Sequence, residues 1–156
     1  PTGLPRIGTL APFSKQTKEE VEEYWNDCPE EGRPREICGT IKRFTLIALE
    51  SNSAFPAFNT LEEINSGKCH DIARQVASEL EYVEYVRLIG GAHGWVRYNG
   101  YHYDAEQPSG VPDAIGLPFF GRMDQPTLLS MSQRRAQEQG LEVPNNLRES
   151  VVVREV

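Results

Sequence analysis

The dipeptide Asn99-Gly100 constrains this chain more than any other feature. A two-residue type I′ hairpin needs positive φ at both central positions, and Asn-Gly between alternating strands is its strongest short-range signal. With these residues as the loop, Tyr98 faces Tyr101, Arg97 faces His102, Val96 faces Tyr103, Trp95 faces Asp104 and His93 faces Glu106. Opposed residues share a side of the sheet and neighbours alternate, so His93, Trp95, Arg97, His102, Asp104 and Glu106 point one way. His93 and Asp104 become diagonal neighbours with Cβ atoms about 7–8 Å apart or less, within reach of an imidazole-carboxylate hydrogen bond.

A thiol stands upstream. Beyond Gly67, the positions Cys69, Ile72, Ala73, Val76, Ala77 and Leu80 recur at steps of three and four, the stripe of an amphipathic helix running to about residue 81. Ser66 is the expected N-cap, and Gly67 is expected to let the backbone turn into the helix. Cys69 then sits in the first turn, where unpaired backbone N–H groups and the positive dipole end favour a thiolate and offer donors to an oxyanion. A thiol, an imidazole and a carboxylate in this arrangement are the parts of a nucleophile site: the base takes the thiol proton, and the carboxylate fixes the base's tautomer.

Taken together, Gly67-x-Cys69 opening a helix, Ala92-His93-x-Trp95-Val96 and Asn99-Gly100-x-x-Tyr103-Asp104 resemble the core of the transglutaminase-like branch of the papain superfold. The resemblance spans about residues 60 to 120. It implies an α+β fold with a nucleophile helix packed on a small antiparallel β-sheet, and acyl chemistry on amides without a cofactor. Cys69 matches the nucleophile, His93 the general base and acid, and Asp104 the orienting carboxylate. The run Tyr103-Asp104-Ala105-Glu106 with Gly110-Val111 and Leu117-Pro118-Phe119-Phe120 also resembles small members from phage and archaeal virus genomes. This chain departs from the pattern in the short interval between Cys69 and His93, which leaves room for one helix and one strand. No residue matches the oxyanion side chain clearly, so Asn65 and Asn59 stand as candidates. Trp95 is either packing or a wall of the acyl pocket.

The implied function is a thiol-dependent amide or ester hydrolase or acyltransferase acting on a peptide or other amide-bearing substrate. The alternative is an inert member of the same fold serving as a structural component of a larger assembly, such as a viral particle. A metal reading competes for the same residues: His102-Tyr103-Asp104 with His93 forms a two-histidine, one-carboxylate set of the kind that binds iron. No further histidine follows His102, which counts against it.

The 156 residues suit one domain. A net charge of −7 without a basic block disfavours a phosphate-backbone binder, so no nucleic-acid partner is expected. No apolar run approaches the roughly 18 residues that span a bilayer, and the first residues lack a signal-peptide layout, so the expectation is a soluble protein, cytoplasmic or virion-associated. Cys28, Cys38 and Cys69 are odd in number and lack metal-ligand spacing. A Cys28–Cys38 bridge stays open, and either outcome leaves Cys69 as the odd thiol.

Residues 1–16 read as an extended Pro- and Gly-rich arm, 17–139 as the domain and 140–156 as a polar tail; arm and tail are the expected contacts with neighbouring subunits. Capping boxes at Thr17–Glu20 and Thr60–Glu63 start helices, the first carrying Val21, Tyr24 and Trp25 on its apolar side to about Asp27. A linker is expected over 30–35, a helix over about 36–50, a strand over 82–89, a loop over 107–122 and a helix over 127–139 stopped by Gly140. Val151-Val152-Val153 offers an edge strand, and His70 is expected to face solvent or cap the helix.

Overall fold

Both capping boxes form. In the computed structural model, which describes residues 15–51 and 58–156, the Thr17 hydroxyl accepts the Glu20 N–H at 3.0 Å while Glu20 Oε1 accepts the Thr17 N–H at 2.8 Å. Thr60 and Glu63 repeat the exchange. These caps open helices α1 (Lys18–Tyr24) and α3 (Leu61–Gly67). Between them runs α2 (Gly32–Ser51), which starts earlier than the sequence pattern suggests and absorbs most of the expected linker. Pro34 is tolerated there because first-turn N–H groups have no intrahelical acceptor to lose. A Cys28–Cys38 disulfide ties the second turn of α2 to the irregular segment that follows α1. Tyr24, expected on the apolar side of α1, is 48% exposed, while Val21 and Trp25 are buried.

Helix α4 (Cys69–Glu79) precedes strands β1 (Glu84–Leu88), β2 (Gly94–Tyr98) and β3 (Tyr101–Tyr103). Asn99 and Gly100 take φ of 51° and 80°, and the ladder pairs Tyr98 with Tyr101, Arg97 with His102 and Val96 with Tyr103. This is the register the turn dictates. It stops at Val96–Tyr103, before the expected pairs Trp95–Asp104 and His93–Glu106, because Asp104 ends the strand: its Oδ1 accepts the N–H groups of Glu106 and Gln107, and the chain turns. Val111 then returns alongside His102. The stretch expected as a loop to residue 122 ends in a short helix, α5 (Pro118–Arg122).

Helix α6 (Gln125–Gln139) stops at Gly140, whose φ of 71° is costly for any residue bearing a Cβ. The segment 140–156 is no loose tail. Leu147 and Ser150 are buried, and β4 (Val151–Arg154) pairs antiparallel with β1. The sheet order is β3-β2-β1-β4. Most of the expected N-terminal arm lies outside the described residues; Gln16 bonds Asn59 O and the Leu61 N–H.

The chain is a mixed α+β structure with helices against both sides of an antiparallel sheet. Tyr85, Val96 and Tyr103 pack with Ile37 and Ile41 of α2 and Ile72 and Val76 of α4. Val86, Leu88 and Trp95 pack on the other side with Leu117, Phe119, Phe120 and Leu128. Each such fully buried aliphatic contributes about 1.5–3 kcal/mol. Helix α4 therefore lies on the Val96 side, not on the side that carries Trp95. Cys69, at the start of α4, lines one cavity with Gly94 at the start of β2.

Candidate active site

Helices α3 and α4 meet at Lys68, whose backbone (φ −118°, ψ 12°) closes one and opens the other. Ser66 belongs to α3 and is not the cap of α4. Cys69 is consequently the first residue of α4, and its Sγ lies 3.8 Å from Ser66 O. Gly67 serves packing instead of a turn, since a Cβ there would stand 2.1 Å from Cε1 of Phe58. Among the described residues no side chain caps α4, which leaves its first-turn N–H groups without a side-chain acceptor.

His93 has no exposed surface. Its Nε2 lies 3.0 Å from Asp104 Oδ2. A carboxylate only accepts, so Nε2 bears the proton and Nδ1 carries the lone pair of the neutral ring. That Nδ1 is buried and has no hydrogen-bond partner among the described residues. An orphan buried acceptor is costly and rare in a native core. The thiol of Cys69 lies near enough to the ring for each to shift the other's proton affinity.

Asp104 holds its place through four bonds: the two backbone N–H groups already named, His93 and the Asn65 side chain at 3.2 Å. Asn65 Nδ2 also donates to Glu106 Oε1 at 2.9 Å. Because Nδ2 faces two carboxylates, the amide orientation is fixed by charge, and its hydrogens are committed. Asn65 thus orients Asp104 and does not supply an oxyanion donor. Glu106 is itself clamped by Arg122, with Nη1 2.9 Å from Oε2 and Nη2 2.6 Å from Oε1. Asn59 is buried at the start of α3, with its backbone engaged by Glu63 and Gln16. It does not line the cavity beside Cys69, whereas Asn65 and Trp95 do.

Trp95 is both packing and wall. It is buried, its ring lies 5.5 Å from that of His93, and its Nε1–H donates to His102 Nδ1 at 2.9 Å. That bond occupies the His102 lone pair on Nδ1, and among the described residues no three His, Cys, Asp or Glu side chains converge as metal ligands. Phe119 was not singled out by spacing. It stacks on His93 at 4.3 Å and 8°, delivered by α5 from a stretch whose sequence marks only a loop.

His70 departs most from expectation. It neither caps α4 nor faces solvent fully; Nε2 lies 2.8 Å from Gly91 O and Nδ1 2.8 Å from the Tyr85 hydroxyl. Burial pushes the Cys69 thiol up, but interactions with His70 and His93 outweigh it and hold the thiol at about 6. Burial likewise pulls His93 down, but Asp104 and Cys69 prevail and raise it to about 9. Both shifts favour moving the thiol proton onto the imidazole. Such a pair can attack a carbonyl and then protonate the departing group. Comparison with protein-family models, curated proteins and solved structures gives no match for this chain.

Proposed function

We propose that the chain is a thiol-dependent hydrolase or acyltransferase for amides or esters, of the transglutaminase-like and papain-like kind, with Cys69, His93 and Asp104 as its triad. The observation that carries this reading is the fully buried His93, anchored to Asp104 through Nε2 and left with an unpartnered Nδ1 beside a cysteine at a helix start.

In the proposed reaction the Cys69 thiolate attacks the carbonyl carbon, and the new oxyanion is held by N–H groups of the first turn of α4. His93 Nδ1–H gives its proton to the leaving amine or alkoxide as the C–N or C–O bond breaks, leaving a thioester. Water, or a second amine, then attacks the thioester as it loses a proton to Nδ1; the C–S bond breaks, the carboxylic acid or new amide is released, and the thiolate beside the protonated imidazole is restored. Hydrolysis is the favoured outcome because water is always present. Cys69 is only 5% exposed, which suits an acyl group presented on a slender chain, such as an extended peptide or a side-chain amide. The Cys28–Cys38 disulfide suits an oxidising compartment better than the cytoplasm. No described helix is long and apolar enough to cross a membrane.

The same low exposure of Cys69 supports a second reading, an inert structural part of an assembly such as a viral particle. The cavity beside the thiol, about 10 Å³, is at the limit of admitting one water. Intact-mass measurement after incubation with an activated ester such as p-nitrophenyl acetate separates the two. The enzymatic reading expects a nitrophenolate burst and one acyl group on Cys69, both lost in Cys69→Ala. No acylation of Cys69, or an unchanged burst in that variant, would leave the inert reading standing.

A further inference from the structure

We infer that the cleft where β1, β4 and α6 meet is a binding site for a dianionic phosphate group. It shares no lining residue with the cavity beside Cys69 and does not depend on that thiol being reactive. The cleft has a volume of about 110 Å³, and Arg87, Gly90, Arg135, Gln139, Val152 and Arg154 line it. A water needs about 10–15 Å³ of such space, so there is room for several waters or for one tetrahedral oxyanion.

The sheet register brings two of the arginines together. Strands β1 and β4 pair Tyr85 with Arg154 and Arg87 with Val152. Arg87 and Arg154 are therefore diagonal neighbours on one side of the sheet, with Cβ atoms about 7–8 Å apart or less. On α6, Arg135 and Gln139 stand four residues apart and share a face of the helix. The walls are tied to one another at Ile89. Its carbonyl accepts the hydroxyl of the buried Ser132 of α6 at 2.9 Å, and its N–H donates to Ser150 O at 2.9 Å, just ahead of β4. A Cβ on Gly91 would stand 3.9 Å from Arg87 Nη1, which puts that guanidinium against the turn after β1.

Charge singles this cleft out. The chain carries a net charge of −7, and Arg43, Arg74, Arg97, Arg122 and Arg148 each pair with a carboxylate. Among the described residues Arg87 and Arg154 pair with none. Arg135 meets Glu138 at 3.4 Å in an exposed pair, a contact of little strength. No acidic residue lines the cleft, so its cations repel one another until an anion enters. The planar guanidinium matches phosphate oxygens two at a time, and a terminal phosphate brings nearly two negative charges on its acceptor oxygens. A carboxylate or a phosphodiester brings only one charge.

The test is isothermal titration calorimetry of the full chain with inorganic phosphate, glycerol 3-phosphate, dimethyl phosphate and acetate. Ionic strength is held constant at about pH 8, where the first two are dianions. One saturable site for the dianions is expected, with dimethyl phosphate and acetate weaker by about tenfold or more. Arg87→Gln, Arg135→Gln and Arg154→Gln are each expected to weaken phosphate binding about tenfold. Arg135 and Arg154 are exposed, so their variants decide should Arg87→Gln fail to fold. Tighter binding of glycerol 3-phosphate than of inorganic phosphate assigns the site to a phosphorylated small molecule, and the reverse order assigns it to the free ion. Cys69→Ala is expected to bind as wild type does, which keeps this result separate from the fate of the thiol reading. No saturable binding, acetate as tight as phosphate, or binding unchanged in the arginine variants would overturn the inference.

Discussion

Replacing Asp104 with asparagine changes one atom and reverses the logic of the site. The two backbone donors, Glu106 N–H and Gln107 N–H, can still bond the amide oxygen. The other position, Oδ2, becomes an NH₂ facing two donors, the Asn65 amide at 3.2 Å and His93 Nε2–H at 3.0 Å. The ring can relieve its half of the clash only by moving its proton to Nδ1, which removes the base from the thiol. Without the carboxylate only Cys69 still opposes burial, and the His93 pKa should fall well below about 9. Each unit of that fall is a tenfold loss in thiolate-imidazolium population. The sign follows from linkage. A raised histidine pKa contributes stability that is full below 6.5 and is lost as pH rises through about 9. Urea unfolding should therefore show Asp104→Asn far less stable than wild type at pH 6, with the gap closing as pH passes about 9. A variant that matches wild type in stability at pH 6 and keeps an acidic thiol would refute the reasoning.

Other consequences can be measured separately. Turnover on any substrate found should follow a bell in pH, rising through about 6 as the thiolate forms and falling through about 9 as His93 loses its proton. Gly94→Ala should displace His70 and cost about 1–3 kcal/mol by urea unfolding, because the new methyl overlaps a ring held by two hydrogen bonds. Replacing Cys28 and Cys38 together by serine opens a loop of sequence separation 10 and should lower stability by about 2.7 kcal/mol without changing the thiol titration. Glu106→Ala leaves the Asn65 amide with Asp104 as its carboxylate partner and Arg122 with Glu62 at 3.7 Å, so the expected loss is about 1–3 kcal/mol, with a smaller fall in activity than for Asp104→Asn.

Local rules carry much of this structure. The Asn99-Gly100 turn sets the β2–β3 register, the capping boxes start α1 and α3, and the spacing after Gly67 marks α4, because in each case the deciding interactions lie within a few residues. What the sequence left illegible depends on contacts far apart in the chain. Periodicity does not say which side of the sheet a helix will cover, so the placement of α4 on the Val96 side had no local signal. Phe119 and Arg122 reach His93 and Glu106 from a Pro- and Gly-punctuated stretch whose composition reads as loop. Counting along α4 does not show that His70 will be held by the Tyr85 hydroxyl and Gly91 O with its ring against Gly94, because those partners lie on and beside the strands. Asn65 was found by proximity in sequence, but its role as the holder of Asp104 follows from its position between two carboxylates.

The rate of iodoacetamide alkylation of Cys69 as a function of pH, in the native chain and in His93→Gln, tests the central claim most directly. A Cys69–His93 pair predicts a half-maximal rate near pH 6 in the wild type and a midpoint displaced towards the ordinary thiol value of 9.0 in the variant. A wild-type midpoint near 9.0 that is indifferent to His93 would contradict it.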